Sequence, residues 1–179
     1  MSAPPRGQGP PLVAVDGVDW PVLGAQVAVV ERGHVLVQFR PWPPGWELPG
    51  GHCEHGEDPA LTAAREAEEE TGYRIHIDGL VGVYTWAGLR TVGDVLYLAR
   101  VSGGSSRRSL EAWASRFVTP STLPRTLFPW MRQRITDALA AADGAPAVHR
   151  VQPVTAYHVA AFATAWLRAP LDRLQGRRR

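Results

Sequence analysis

Residues 50–73 read GGHCEHGEDPALTAAREAEEETGY, and the second half of this stretch sets the reading of everything around it. From residue 59 to 71 the composition is that of a helix. Alanines fill the body, and proline takes the first position, where its missing N–H leaves no bond unmade. Asp58 stands where an N-cap belongs, and Gly72 stands where a left-handed residue ends a helix. Glu66, Glu69 and Glu70 fall at i, i+3 and i+4, so the spacing projects their carboxylates from one face. Glu68 adds a fourth acid beside them. Taken alone, such a run is the pattern of a solvated acidic face. The other reading is a neutralised cluster, because hard dications take oxygen ligands and Mg²⁺ binds through a few carboxylates plus substrate phosphates.

The flanking residues decide between the two. Gly51, five residues, Glu57, seven residues, Arg65-Glu66, two residues, Glu69-Glu70, one residue and Gly72 form a fixed spacing that chance rarely produces. It resembles the Nudix box, and every invariant position of that motif is filled between Gly51 and Tyr73. Two variable sites depart from the usual pattern: the apolar site at 67 is Ala, and the terminal aliphatic site is Tyr73. Both bear on packing and not on the carboxylates. The resemblance extends upstream through Trp46, Leu48, Pro49 and Gly50, a W-x-L-P-G-G approach, and more loosely downstream to Leu123-Pro124. Residues 22–124 thus look like a Nudix domain.

The resemblance implies an α/β fold in which a mixed β-sheet is sandwiched between helices (α/β/α). It also implies hydrolysis of a diphosphate bond, in a nucleoside triphosphate or another nucleoside-diphosphate-linked compound, with Mg²⁺ as cofactor and Mn²⁺ as substitute. By the same route Glu66, Glu69 and Glu70 are carried over as metal ligands, with Glu57 binding metal directly or through water. The backbone carbonyl of Gly51 is a further ligand. Arg65 is carried over as an organising residue, since a guanidinium fork fixes a carboxylate's orientation. Two residues stand as general base: Glu66, and Glu111, which precedes Phe117 by six residues where many relatives supply an extra carboxylate. Non-catalytic Nudix-like modules that bind a nucleotide and regulate a partner form the alternative, but they typically lose box glutamates that this chain retains.

Outward from the box, VLGAQVAVV (22–30) and HVLVQF (34–39) are β-branched runs split by Glu31-Arg32-Gly33, a strand–turn–strand pattern. RPWPPGWELPGG (40–51) holds four prolines and three glycines and reads as a structured loop. Residues 79–86, 93–101 and 113–118 read as strands and 103–108 as a loop. Leu127 to Ala141 has helical periodicity, and 142–146 reads as a linker. Residues 156–168 form an apolar helix. The chain therefore divides into a leader at 1–17, expected to be disordered, a Nudix domain at 18–145 and a helical extension at 146–179. That extension would pack on the domain or on a second copy in a homodimer.

The substrate half is more weakly encoded. Trp42, Trp46, Tyr84 and Trp86 are candidates to stack on a base, although most such rings are core residues. Arg40, Arg90, Arg107 and Arg108 are candidates for phosphate contact, against ordinary solvation. His52 and His55 flank Cys53 but read as loop residues rather than a zinc site. Gly88, where relatives that cleave ADP-ribose carry proline, and Leu89-Arg90, where dinucleoside polyphosphate hydrolases carry tyrosine, speak against those two classes. The Arg-rich segment of the coenzyme A subgroup is missing too.

Composition bounds the remaining classes. The chain has 179 residues and a formal charge of +2. No apolar run reaches the roughly 18–20 residues that cross a bilayer. Cys53 is the only cysteine, which excludes an intrachain disulfide and fits a cytoplasmic location. All nineteen basic residues are Arg, twelve of them after residue 100, and Lys and Asn do not occur. Codon usage in a GC-rich genome accounts for that bias. The basic half carries no nucleic-acid recognition motif, so a small-molecule diphosphate is the expected partner, with no membrane and no nucleic acid.

Overall fold

Two Asp/Arg-Gly turns set up the first three strands. Asp16-Gly17 and Arg32-Gly33 both take positive φ (51° and 75°, 50° and 75°), the paired left-handed conformation of a two-residue hairpin whose twist matches its strands. They join β1 (Leu12–Val15), β2 (Val18–Glu31) and β3 (His34–Pro41) into antiparallel pairs. The computed structural model describes residues 9–54, 56–87, 92–106 and 114–154. Among these follow β4 (Pro44–Glu47), β5 (Gly50–His52), helix α1 (Pro59–Thr71), β6 (Tyr73–Trp86), β7 (Gly93–Gly104), β8 (Ala114–Val118), helix α2 (Met131–Ala142) and β9 (Val148–Gln152).

The main path of the sheet runs β4-β3-β2-β7-β6-β9, with β1 and β5 pairing β2 and β8 pairing β3. The β2–β7 and β6–β9 pairs are parallel and the others antiparallel, so the sheet is mixed. Alternation along the central strands sends side chains to both faces. Val27 and Val29 of β2 and Val95 of β7 pack with Ala63 and Ala67 of α1. Ala28 and Leu96 pack on the opposite face with Met131, Ile135 and Ala138 of α2. The expected sheet between helices is what the chain forms.

Three expectations about extent change. The segment taken as part of a leader contains β1, fully paired with β2 from Leu12↔Pro21 to Val15↔Val18. The loop at 40–51 is mostly strand: Pro41 ends β3, Pro44 starts β4, and Pro43 and Pro49 lie between strands, where a missing N–H does no harm, while β4 and β5 pair β3 and β2. The extension expected from 146 instead begins by entering the sheet, as Val148–Gln152 pair with Gly82–Trp86 of β6. The apolar helix expected at 156–168 lies outside the described residues.

Buried polar side chains tie α2 to the strands beneath it. Arg134 is 1% exposed. It donates to Gln26 Oε1 of β2 (2.5 Å), Asp94 Oδ2 of β7 (3.0 Å) and Gln152 Oε1 of β9 (2.9 and 3.1 Å). Its guanidinium also lies over the Tyr84 ring. One turn further, Asp137 accepts from the Tyr84 hydroxyl (3.0 Å), from Gln133 (3.0 Å) and from Arg150 (2.8 and 3.2 Å). Buried charges persist when paired and hydrogen-bonded in this way.

Candidate active site

Helix α1 is built as its sequence implies. Asp58 Oδ1 accepts the Ala60 N–H at 2.7 Å, and Gly72 (φ 81°) returns its N–H to Glu68 O at 2.9 Å. Alanines at 63 and 67 let the helix sit close on the sheet. Glu70 follows Ala67 by one turn on the same inward stripe and is 7% exposed. The Glu69 side chain, 58% exposed, turns outward, and that of Glu66, at 13%, lies between them. The three acids therefore share a helix but not an environment.

Arg65 gathers the acids of the box. Its Nε and Nη2 donate to the two oxygens of Glu57 (3.1 and 3.2 Å), and its Nη1 donates to Glu66 Oε1 (2.8 Å) and lies 3.5 Å from Glu69 Oε2. This fork holds the Glu57 carboxyl down at about 2, so Glu57 is ionised throughout the physiological range. Gly51 lies against Glu66 so closely that a Cβ would fall 2.4 Å from its carboxyl carbon. A side chain at that box position would therefore push the Glu66 carboxylate out of its place. Gly50, at φ 148°, donates its N–H to Glu70 Oε2 at 2.9 Å.

Glu66, Glu70 and Gly51 line a cavity of about 580 Å³ together with Arg40, Trp42 and Glu47. Burial pushes the Glu70 carboxyl up to about 7, with Glu47 and Glu66 adding to the rise and the Gly50 N–H opposing it. Glu47 is buried as well, and desolvation raises it to about 6 against the pull of Arg40, which lies 3.2 Å away. Neighbouring carboxylates held out of water favour whatever brings positive charge to them. Their oxygens are hard donors that suit Mg²⁺, Mn²⁺ or Ca²⁺ rather than a softer ion. Among the described residues no three His, Cys, Asp or Glu side chains close into a ready-made cage. Mg²⁺ does not ask for one, since it keeps several waters and takes one or two carboxylates plus substrate phosphates.

The substrate candidates separate. Arg40 and Trp42 reach the cavity. Tyr84 does not serve as a stacking residue: it is 0% exposed, its ring lies under Arg134, and its hydroxyl is committed to Asp137. Trp46 alternates with Glu47 along β4, packs edge-on to Phe39 and carries Arg116 over its ring at 4.5 Å. Trp86 packs edge-on to Trp130 at 5.7 Å, near Arg134. Neither Trp46 nor Trp86 is among the described residues lining the cavity. Glu111, Arg90, Arg107, Arg108, His55 and residues 88–89 lie outside the described residues. Sequence reading passed over Glu47, which stood at a free position of the approach, and Gln38, although a polar residue within an otherwise apolar strand was a signal.

Comparison with known proteins agrees with the geometry. The model of the NUDIX domain matches residues 21–138. A MutT-like protein of Streptomyces ambofaciens is 37% identical over 145 residues, covering 81% of this chain and 87% of its own length. A putative 8-oxo-dGTP diphosphatase of Bacillus subtilis is 30% identical over 115 residues, covering 64% of this chain and 77% of its own. Among solved structures, an ADP-ribose pyrophosphatase from Streptococcus suis superposes with a TM-score of 0.64 at 22% identity, covering 73% of this chain and 98% of that one, a likeness of fold.

Proposed function

The chain belongs to the Nudix family, and from that premise we propose that its box carboxylates hold Mg²⁺, with Mn²⁺ as substitute, for the cleavage of a nucleotide diphosphate link. It is a pyrophosphohydrolase acting on nucleoside-diphosphate-linked compounds, as several curated relatives are by name. The observation that carries the site assignment is that Glu66, Glu70 and Gly51 line a single cavity.

Glu66, Glu70 and the Gly51 carbonyl are the inner ligands, and Glu69, on the exposed side of the helix beside Arg65, is the outermost one. Arg65 orients Glu66 through its Nη1, and Glu57 braces Arg65 from the other side. These residues would hold a divalent ion, which would supply positive charge against the diphosphate oxygens and make the attacking water more acidic. Glu66 or Glu111 takes the proton of the attacking water. Arg40 meets a substrate phosphate in the same cavity, and Trp42 offers a ring there. The cytoplasm is the proposed location, matching the free, buried thiol of Cys53.

The test is a panel of nucleoside triphosphates, nucleoside diphosphate sugars and dinucleotides, assayed for phosphate and pyrophosphate release with Mg²⁺, with Mn²⁺ and in EDTA. At least one compound should turn over only with metal. Tight binding of a nucleotide with no turnover across the panel would instead identify a regulatory module.

A further inference from the structure

A guanidinium as deeply buried as that of Arg134 is costly unless its partners are well placed. Fastening α2 does not require one, since Met131, Ile135 and Ala138 of the same helix already pack on the sheet. What the guanidinium reaches is more telling. Nη1 donates to Gln26 Oε1 at 2.5 Å and Nη2 to Asp94 Oδ2 at 3.0 Å, and both partners abut the glycine strand that opens the box. Gln26 pairs with Gly50 so closely that a Cβ on Gly50 would lie 2.6 Å from Gln26 Cα and 2.9 Å from its Cγ. Asp94 pairs with Gly24. A Cβ on Gly24 would lie 2.7 Å from Asp94 Oδ1 and 3.5 Å from the Gly51 carbonyl oxygen, so those two oxygens share one small space. The strand that carries these glycines, β5, has three residues and pairs with β2. Beside it the β2–β7 ladder is irregular between Val22 and Gly24, and such a break weakens the definition that backbone pairing gives. Arg134 bridges β2 and β7 just past that break.

We propose that Arg134 is a positioning residue for the metal site, fixing β5 through Gln26 and Asp94. It thereby sets where the Gly50 N–H holds Glu70, at 2.9 Å, and where the Gly51 carbonyl is presented. This role rests on the metal-dependent reading of the box. Arg134 itself touches neither metal nor substrate and acts only through the strand. Two effects of the guanidinium oppose each other: its charge repels a cation at the box, while its hydrogen bonds preorganise the ligands. Removing it separates the two by sign.

The experiment titrates Mn²⁺ into the EDTA-treated full chain, following free Mn²⁺ by electron paramagnetic resonance, with thermal melts in parallel. Arg134→Met removes the charge and the hydrogen bonds together. Gln26→Met removes one arm with no change of charge, and decides the matter alone if Arg134→Met does not fold. Both should bind Mn²⁺ about tenfold more weakly than the parent, although loss of a positive charge by itself would tighten a cation. Asp137→Ala, which loosens α2 without touching either arm, should melt lower in EDTA and bind Mn²⁺ as the parent does. Parental or tighter binding by Gln26→Met, or by a folded Arg134→Met, overturns the role and leaves the box reading standing. Equal weakening in Asp137→Ala also overturns it, because affinity would then merely follow the stability of α2. No Mn²⁺ uptake by the parent chain overturns both readings.

Discussion

Glu66, Glu69 and Glu70 look equivalent on a helical wheel and are not. Glu69 is solvated, Glu66 is clasped by Arg65, and Glu70 is buried with its pKa near 7. The consequence is a pH effect on the metal-free protein. The folded chain keeps protons on Glu70 and Glu47 that the unfolded chain releases above about 4.5, so stability must fall as pH rises from there to about 7 and then level off. Glu57, depressed to about 2, works the opposite way but only below about 4.5, outside that window. The melting temperature in EDTA should therefore be lower at pH 7.5 than at pH 5, by an amount on the order of 2 kcal/mol or several degrees. A melting temperature that is flat or rising across this interval, in the parent or unchanged by Glu70→Gln, contradicts the burial assigned to these carboxyls. The sequence named Glu57, Arg65, Glu66, Glu69, Glu70 and Gly51, because fixed spacing around a helix is visible in one dimension. It could not rank them, since their burial depends on how α1 rolls against the sheet.

Elements were legible where the signal was local. The Asp58 cap, Pro59, the alanines and Gly72 defined α1 to the residue, and Arg32-Gly33 marked its hairpin. Asp16-Gly17 carried the same turn chemistry but sat beside a proline-rich start and was folded into the leader. Between 40 and 51 the prolines suggested loop, whereas pairing partners far along the chain, β3 for β4 and β2 for β5, impose extended structure. Nothing local announced the polar clamp under α2 either, because Asp137 draws its partners from β6 and β9 as well as from its own helix. Asp137→Ala leaves the Tyr84 hydroxyl and the Arg150 guanidinium without their acceptor, and since Arg150 is partly exposed the expected cost is about 2–4 kcal/mol. Chemical denaturation measures it. A loss below about 1 kcal/mol would mean that this cluster does not fasten α2 and β9 to β6.

At the scale of the whole molecule, the sheet is the frame and the two helices have separate duties. Helix α1 presents acids to the cavity from one face, while α2 closes the other face through Met131, Ile135 and the buried Arg134. β2 joins them: it pairs with β5, which carries the box glycines, and with β7, and Gln26 within it receives Arg134. The sandwich was readable from the alternation of strand and helix patterns together with the box. The parallel entry of β9 beside β6 was not, since a five-residue strand after a glycine turn looks like linker until its partner is known. The substrate walls belong to the same class of information: Arg40, Trp42 and Glu47 come together only after β3 and β4 have paired. The most direct test of the account is the Mg²⁺-dependent turnover of the best panel substrate by Glu69→Gln and Glu70→Gln, each checked for a parental circular dichroism spectrum. Turnover should fall by about a hundredfold or more in both, equivalent to ~2.7 kcal/mol of lost transition-state stabilisation, whereas parental turnover in either variant would contradict the assignment of the box carboxylates.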